Sequence, residues 1–124
     1  MMTFDESEVG QLIYTMLKNV STSIYHNRAE RGSSFPYAVF NLLDAFQQEG
    51  TKTNFMLEID IWDNKGNDIT DLVALQKSLQ EYLHKRTCIN LSFNLESTLN
   101  LDATQEEQLR RRQLRFSATY YNRN

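Results

Sequence analysis

A strict alternation marks residues 55–62, which read Phe-Met-Leu-Glu-Ile-Asp-Ile-Trp. Apolar side chains stand at 55, 57, 59 and 61, and the positions between them carry Met56, Glu58, Asp60 and Trp62. Successive side chains of a β-strand point to opposite faces, so this period of two predicts a strand with one buried face. The polar run Gln47–Asn54, which contains Gly50, predicts a loop that separates this strand from an antiparallel partner before it.

Three further segments favour β-structure. Pro36 disfavours a helix through Phe35, and the aromatic and β-branched residues that follow predict a strand over Phe35–Leu42. A period of two returns over Ile89–Leu95 and again over Leu114–Tyr121, which predicts a third and a fourth strand.

Two segments have the three- and four-residue apolar spacing of an amphipathic helix. The first runs over Glu6–Val20 and has acidic residues at its beginning, where the helix dipole favours negative charge. The second runs from Asp68, the predicted N-cap, to about Lys85. The largely polar stretch Ser21–Ser34 is interpreted as a short extended piece and a loop.

The predicted order of elements is α-β-β-α-β-β. It indicates a single α+β domain over residues 1–124, in which an antiparallel-rich four-stranded sheet has two amphipathic helices packed on one face. The opposite face of the sheet is then expected to meet water or another subunit.

Composition excludes several classes of protein. A chain of 124 residues with 40% hydrophobic content is sufficient for one core, and the net charge of −3 argues against broad, non-specific attraction to nucleic acid. Local basic clusters stay compatible with the charge, and we expect no specific nucleic-acid binding. The single cysteine, Cys88, cannot form an intramolecular disulfide, and Met1–Asp5 lacks the features of a signal peptide. No apolar run approaches the roughly 20 residues that span a bilayer, so we expect cytoplasmic synthesis and no membrane partner.

The sequence predicts no catalytic, metal or cofactor site. His26 and His84 have no Cys, Asp or Glu at metal-ligand spacing and are expected on the surface. Cys88 is not accompanied by a nucleophile motif. Glu58 and Asp60 share one face of a strand, but an alternating strand normally shows its polar residues to solvent. We therefore expect a protein that works by binding and is not an enzyme.

Four arginines form the most conspicuous charged cluster, and two tyrosines follow it. Arginine and tyrosine are enriched at protein interfaces, although basic and aromatic residues together also bind single-stranded nucleic acid. The negative net charge favours a protein interface, and a solvated strand end is about equally compatible. The predicted interface residues are Arg110, Arg111, Arg112, Arg115, Tyr120, Tyr121, Glu58, Asp60 and Trp62.

Two of these strands carry a resemblance to a known family. The strand Phe35–Leu42, with its Pro-Tyr start, and the strand Leu57–Asp63, which contains Asp-Ile-Trp, resemble the tail-completion or tail-terminator proteins of long-tailed bacteriophages and prophages. The resemblance continues through the helix Asp68–Leu83, the strand Ile89–Leu95 and the aromatic final strand, and so covers nearly the whole chain.

The resemblance implies a structural protein that assembles as a homo-oligomeric ring, with a hexamer as a candidate size, and that is compatible with a free monomer. The ring caps the tail tube and joins tail to head. Its implied partners are the major tail-tube protein and a head-connector or head-completion protein. The implied location is the head–tail junction of the virion, after synthesis and assembly in the cytoplasm of a bacterial host.

Such a ring needs a heterologous interface, in which two different patches meet until rotation closes the circle. One hypothesis sets Arg110–Arg115 against Glu58 and Asp60 of the adjacent subunit. The segments Asp44–Asn54 and Leu99–Glu107 are candidate arms towards tube or connector, or plain surface loops.

Two other functions are alternatives to tail termination. One is a head-completion or minor connector protein, and the other is a cytoplasmic dimeric module that recognises a peptide or nucleic acid.

Overall fold

A computed structural model describes residues 5–88, 90–101 and 108–121, and of residues 44–49 and 88 the backbone only. Within these residues two helices and six strands follow one another in the order α-β-β-β-α-β-β-β. The helices are α1 (Glu6–Leu17) and α2 (Thr70–Leu83). The strands are β1 (Ile24–His26), β2 (Tyr37–Glu49), β3 (Lys52–Asp63), β4 (Thr87–Cys88), β5 (Leu91–Asn100) and β6 (Arg110–Tyr121).

The strands form one sheet in the order β1-β2-β3-β6-β5-β4. Every neighbouring pair is antiparallel except β1 and β2, which are parallel. The alternating strand β3 lies in the centre between β2 and β6, and the mixed α+β, mainly antiparallel class is confirmed. The predicted count of four strands was wrong, because β1 and β4 have only three and two residues and are too short to display a period of two.

Residues 47–54 are paired strand and not the predicted loop. Gln47 lies opposite Asn54, and the turn is confined to Gly50 and Thr51. Gly50 has a φ of +60°, a conformation that glycine adopts without a steric penalty. The register of β2 and β3 shifts between Leu43 and Gln47, so the alternation that would reveal the strand is interrupted there.

The end of the β2–β3 hairpin is also held by β6. Lys52 pairs with Tyr121 and Thr53 pairs with Tyr120, so the backbone of β3 is hydrogen-bonded close to its first residue. The candidate arm Asp44–Asn54 is therefore the end of a hairpin in the sheet, so its interpretation as a loop was wrong, and its role as an arm towards tube or connector stays a prediction.

Strands β5 and β6 are longer than the alternation predicted. β5 begins at Leu91 and continues to Asn100, so the first residues of the candidate arm Leu99–Glu107 belong to a strand. Ile89 and residues 102–107 lie outside the described residues. β6 begins at Arg110 instead of Leu114, which places the arginine cluster inside the strand.

The first helix begins as its acidic start predicts. The Asp5 carboxylate accepts hydrogen bonds from the backbone N–H groups of Ser7, at 3.0 Å, and Glu8, at 3.2 Å, which satisfies donors that have no partner within the helix. α1 ends at Leu17, three residues before the predicted Val20.

The second helix begins one residue later than predicted, because its N-cap is Ile69 and not Asp68. Asp68 still accepts a hydrogen bond from the Thr70 N–H, at 3.2 Å. The Thr70 side chain, and after it the Thr70 N–H, lowers the pKa of the Asp68 carboxyl by hydrogen bonding. α2 ends at Leu83, and Lys85 shortly after it has a φ of +61°, outside the helical region.

Both helices pack on one face of the sheet, as predicted. Most residues of their apolar stripes are buried and belong to the same core cluster as the alternate residues of the central strands, whereas Leu12 of α1 is exposed. The helical members with no exposed surface are Val9, Ile13, Leu17, Leu72, Leu79 and Leu83, and those of β3 and β6 are Leu57, Ile59, Ile61, Leu114 and Phe116.

His26 lies against α1 and the sheet and is half-buried, so it is less exposed than the expected surface histidine. Its ring stacks on Phe40, with ring centroids 4.5 Å apart and an angle of 2° between the planes. A Cβ on Gly10 would lie only 2.6 Å from His26 Cε1, which shows how closely the helix approaches the ring. Burial lowers the pKa of His26, and the charge of Glu6 partly opposes this shift.

Candidate interaction surface

The sheet face opposite the helices carries no covering layer among the described residues, and we call it the outer face. On β3 the odd-numbered residues are buried in the core and the even-numbered ones are only partly buried, which identifies the two faces. Register then assigns the neighbours on β2 and β6 to the same side. The outer face includes Tyr37, Glu58, Asp60, Trp62, Arg111, Gln113, Arg115 and Tyr121.

A network of ion pairs and hydrogen bonds links β3 to β6 on this face. Asp60 Oδ1 accepts from Arg111 Nε and from Gln113 Nε2, each at 3.0 Å. Arg115 Nη2 lies 3.1 Å from Glu58 Oε2, and Arg115 Nε donates to Gln113 Oε1 at 3.2 Å. We call these five residues the outer-face network.

The carboxylates of this network are largely shielded from water. The side chain of Asp60 is 13% exposed and that of Glu58 is 15% exposed. Opposite charges at this depth attract more strongly than at a free surface, because solvent screens them less. The network therefore stabilises the pairing of β3 with β6.

The structure forms within one chain two ion pairs that the sequence hypothesis placed between neighbouring subunits. The hypothesis set the arginines against Glu58 and Asp60 of a neighbour, whereas the structure pairs Arg111 with Asp60 and Arg115 with Glu58 within one chain. The register of β3 and β6 accounts for the Arg115 pair, because Glu58 lies directly opposite Arg115.

The arginine cluster is divided between the two faces of the sheet. Arg111 and Arg115 lie on the outer face, while Arg110 and Arg112 lie on the helix side. Arg112 Nη1 donates to Gln76 Oε1 on α2 at 3.3 Å, and Arg110 Nη2 donates to Asn67 Oδ1 at 3.4 Å. A period of two extended back to Arg110 would have revealed this division from the sequence.

An aromatic group lies at the end of the outer face next to Arg111. The Arg111 guanidinium lies 5.3 Å from the centre of the Trp62 ring, and Tyr37 is the register partner of Trp62. Tyr25 meets Tyr37 edge-on, with centroids 6.2 Å apart, and burial raises the pKa of Tyr37. Sequence reasoning missed both tyrosines, because Tyr25 reaches this group only through the parallel pairing of β1 with β2.

The two tyrosines of the predicted interface lie on opposite sides of the sheet. Tyr120 is 6% exposed and belongs to the core cluster, so it lies on the helix side of the sheet and not on the outer face. Tyr121 is 42% exposed and lies on the outer face. The alternation along β6 explains the difference, since adjacent residues point to opposite sides.

The described residues hold no group of three or more His, Cys, Asp or Glu side chains placed to bind a metal ion. His84 has a structural contact, since its Nδ1 accepts a hydrogen bond from the Leu95 N–H at 3.1 Å. None of the helices in the described part of the chain has the length and apolar character needed to cross a membrane.

Comparison with known proteins gives a match in structure and none in sequence. No protein-family model matches the chain, and no curated protein matches it. The fold is similar to that of a chain in a solved structure titled "Virion of native gene transfer agent (GTA) particle", with a TM-score of 0.66 over 86% of this chain and 84% of that one. The two sequences are 14% identical, so this chain and a chain of that virion share a fold.

Proposed function

We propose that this protein is a structural component of a phage-like virion, which caps the tail tube and joins the tail to the head by assembling into a homo-oligomeric ring. The observation that carries this proposal is the uncovered, partly aromatic outer face on a fold similar to that of a chain in a gene transfer agent virion. Resemblance to tail-terminator proteins in the strands Phe35–Leu42 and Leu57–Asp63 supports the more specific role.

The proposed assembly uses the two faces of the sheet, the outer face of one copy and the helix side of the next. Copies that stack face to back use two different patches, which is the heterologous contact that a closed ring requires.

Binding accounts for the whole proposed mechanism, and we propose neither a catalytic step nor a cofactor. One side of the ring meets the major tail-tube protein, and the other meets a head-connector or head-completion protein at the head–tail junction. The self-contained ion pairs of the outer face fit such a role, because an interface residue already held in place loses less conformational entropy on binding.

Labelled protein mixed with polymerised tail-tube protein from the same genome tests this function. We expect electron microscopy to show label at one end of each tube and to show that capped tubes stop growing. Label spread along the tube, or absent from it, would overturn the proposal. Label on isolated head connectors but not on tubes would point to a head-completion protein.

A further inference from the structure

Strand β5 is covered along only part of the edge that faces away from β6. The short strand β4 pairs with the first two residues of β5. Further along the same edge, the Leu95 N–H donates to His84 Nδ1 at 3.1 Å. No strand in the described part of the chain lies beside Glu96–Asn100 on this side, and we call that stretch the open edge.

The backbone groups of Thr98 and Asn100 point outward from the open edge. The Leu101 N–H donates to the Arg111 carbonyl on β6 at 2.9 Å. Successive residues of an antiparallel strand direct their N–H and C=O groups alternately towards the partner strand and away from it. Thr98 and Asn100 therefore direct two donors and two acceptors away from β6, and within the described residues none of the four has a partner.

The open edge lacks the features that usually protect an edge strand. Natural sheets shield such strands with a charge, a proline or a bulge. The register shift of β5 lies between Leu95 and Ser97, before the outward-pointing groups, and Ser97–Asn100 contains neither a charged residue nor a proline. Leu99, on the outer face opposite Gln113, is 41% exposed. A strand added here would find a regular ladder with an apolar side chain beside it.

The rest of the chain indicates what kind of strand fits. β1 has three residues, and β2 beyond β1 is interrupted by the shift between Leu43 and Gln47, so a second copy offers no regular edge of its own to match. Glu96 is exposed and is without an ion pair among the described residues. An antiparallel strand brings its C-terminal end to Glu96, so a basic residue at that end is favoured.

We propose that the open edge binds an extended segment of a different protein, which joins the sheet as a further antiparallel strand. The backbone of the segment pairs with Thr98 and Asn100, an apolar side chain covers Leu99, and a basic side chain near its C-terminal end faces Glu96. In strand addition the main-chain hydrogen bonds supply affinity and the side chains supply specificity. This contact uses an edge of the sheet, so it does not depend on the ring proposed above.

A synthetic peptide, acetyl-Thr-Val-Thr-Val-Lys-amide, tests the open edge by NMR of the isotope-labelled protein. We expect the amide protons of Thr98 and Asn100 to exchange rapidly in the free protein and about tenfold more slowly with peptide at millimolar concentration. The same peptide N-methylated at both threonines cannot donate to the edge and is the control, which should give no protection. A peptide that ends in glutamate should bind more weakly.

A pair of variants tests the same contact from the side of the protein. Thr98→Pro removes one outward N–H, and proline is tolerated where the N–H of an edge strand faces solvent. Thr98→Val keeps that N–H and is the matched control. With folding confirmed by circular dichroism, we expect Thr98→Pro to weaken peptide binding by about tenfold and Thr98→Val to have little effect.

Several results would overturn the contact. Equal binding of the plain and the N-methylated peptide would do so, and so would equal binding by Thr98→Pro and Thr98→Val. A protein dimer that protects the Thr98 and Asn100 amides without peptide would show that a second copy takes the edge. A protein that forms rings and caps tubes, but gives no peptide-dependent protection, would overturn this contact and leave the proposed function standing. Protection of both amides by purified tail-tube protein would support it.

Discussion

Asp60 and Arg111 are joined across the centre of the sheet through one carboxylate oxygen. Asp60 Oδ1 lies 3.0 Å from both Nε and Nη2 of Arg111. Gln113 donates to the same oxygen, so loss of the carboxylate removes the partner of two side chains at once. This arrangement ties β3 to β6 on the face that we propose as an interface.

The Asp60–Arg111 pair is expected to show a measurable coupling. A double-mutant cycle with Asp60→Ala and Arg111→Ala should give an interaction free energy of about 1 kcal/mol in urea unfolding, because Asp60 is mostly shielded from solvent. The exposed pair Lys65–Asp71, whose charged atoms are 2.7 Å apart, serves as the control and should give a smaller coupling. Equal coupling in both pairs would contradict the role given to burial.

Gly10→Ala should destabilise the protein. Alanine in place of glycine normally stabilises a helix by roughly 0.5–1 kcal/mol, but here the new Cβ would lie 2.6 Å from His26 Cε1. We expect a net loss of about 1–3 kcal/mol from overpacking, measured by thermal or urea unfolding. Gln11→Ala, at the exposed neighbouring position, is the control and should have little effect. A more stable Gly10→Ala protein would show that the contact with His26 is not tight.

His26 should make the free energy of unfolding depend on pH. Burial lowers its pKa in the folded protein below the ordinary 6.5, so the folded state binds fewer protons than the unfolded state as pH falls. Stability from this residue is therefore complete above about pH 6.5 and declines below it. His26→Phe keeps an aromatic ring against Phe40 and should remove this part of the pH dependence. An unchanged profile would assign the dependence to other groups.

Charge reversal should show that the outer face takes part in assembly. Arg115→Glu places a carboxylate beside Glu58 on the outer face, and we expect it to reduce ring assembly strongly. Arg31→Glu, at an exposed position of the loop between β1 and β2, is the control and should leave assembly largely intact. Light scattering of both variants, each shown to be folded by circular dichroism, reports the result. The opposite ranking would exclude the outer face as the interface.

The central strands and both helices could be predicted because their patterns are local. Phe55–Trp62 alternates without interruption, and each helix has its stripe of core residues in place. Strand β1 was predicted only as a short extended piece within Ser21–Ser34, because its three residues are held by pairing with β2 and have no pattern of their own. The shift between Leu43 and Gln47 likewise hid the paired end of the β2–β3 hairpin.

The sequence predicted which types of residue form the candidate surface, but it did not predict which of these residues contact one another. Arginines, acidic residues and Trp62 were identified, yet the choice between contacts within one chain and contacts between chains depends on register. Glu58 opposite Arg115 is set by the β3–β6 alignment, which local sequence does not specify. Tyr25 joins the surface only through a parallel partner, so no single segment could reveal it.

The solution mass by light scattering tests the ring most directly, over a concentration series of the protein alone and then with purified tail-tube protein from the same genome. The proposed function predicts a ring-sized species, either free or formed only when tube protein is present. A stable dimer whose mass does not change with tube protein would contradict it and favour a dimeric binding module.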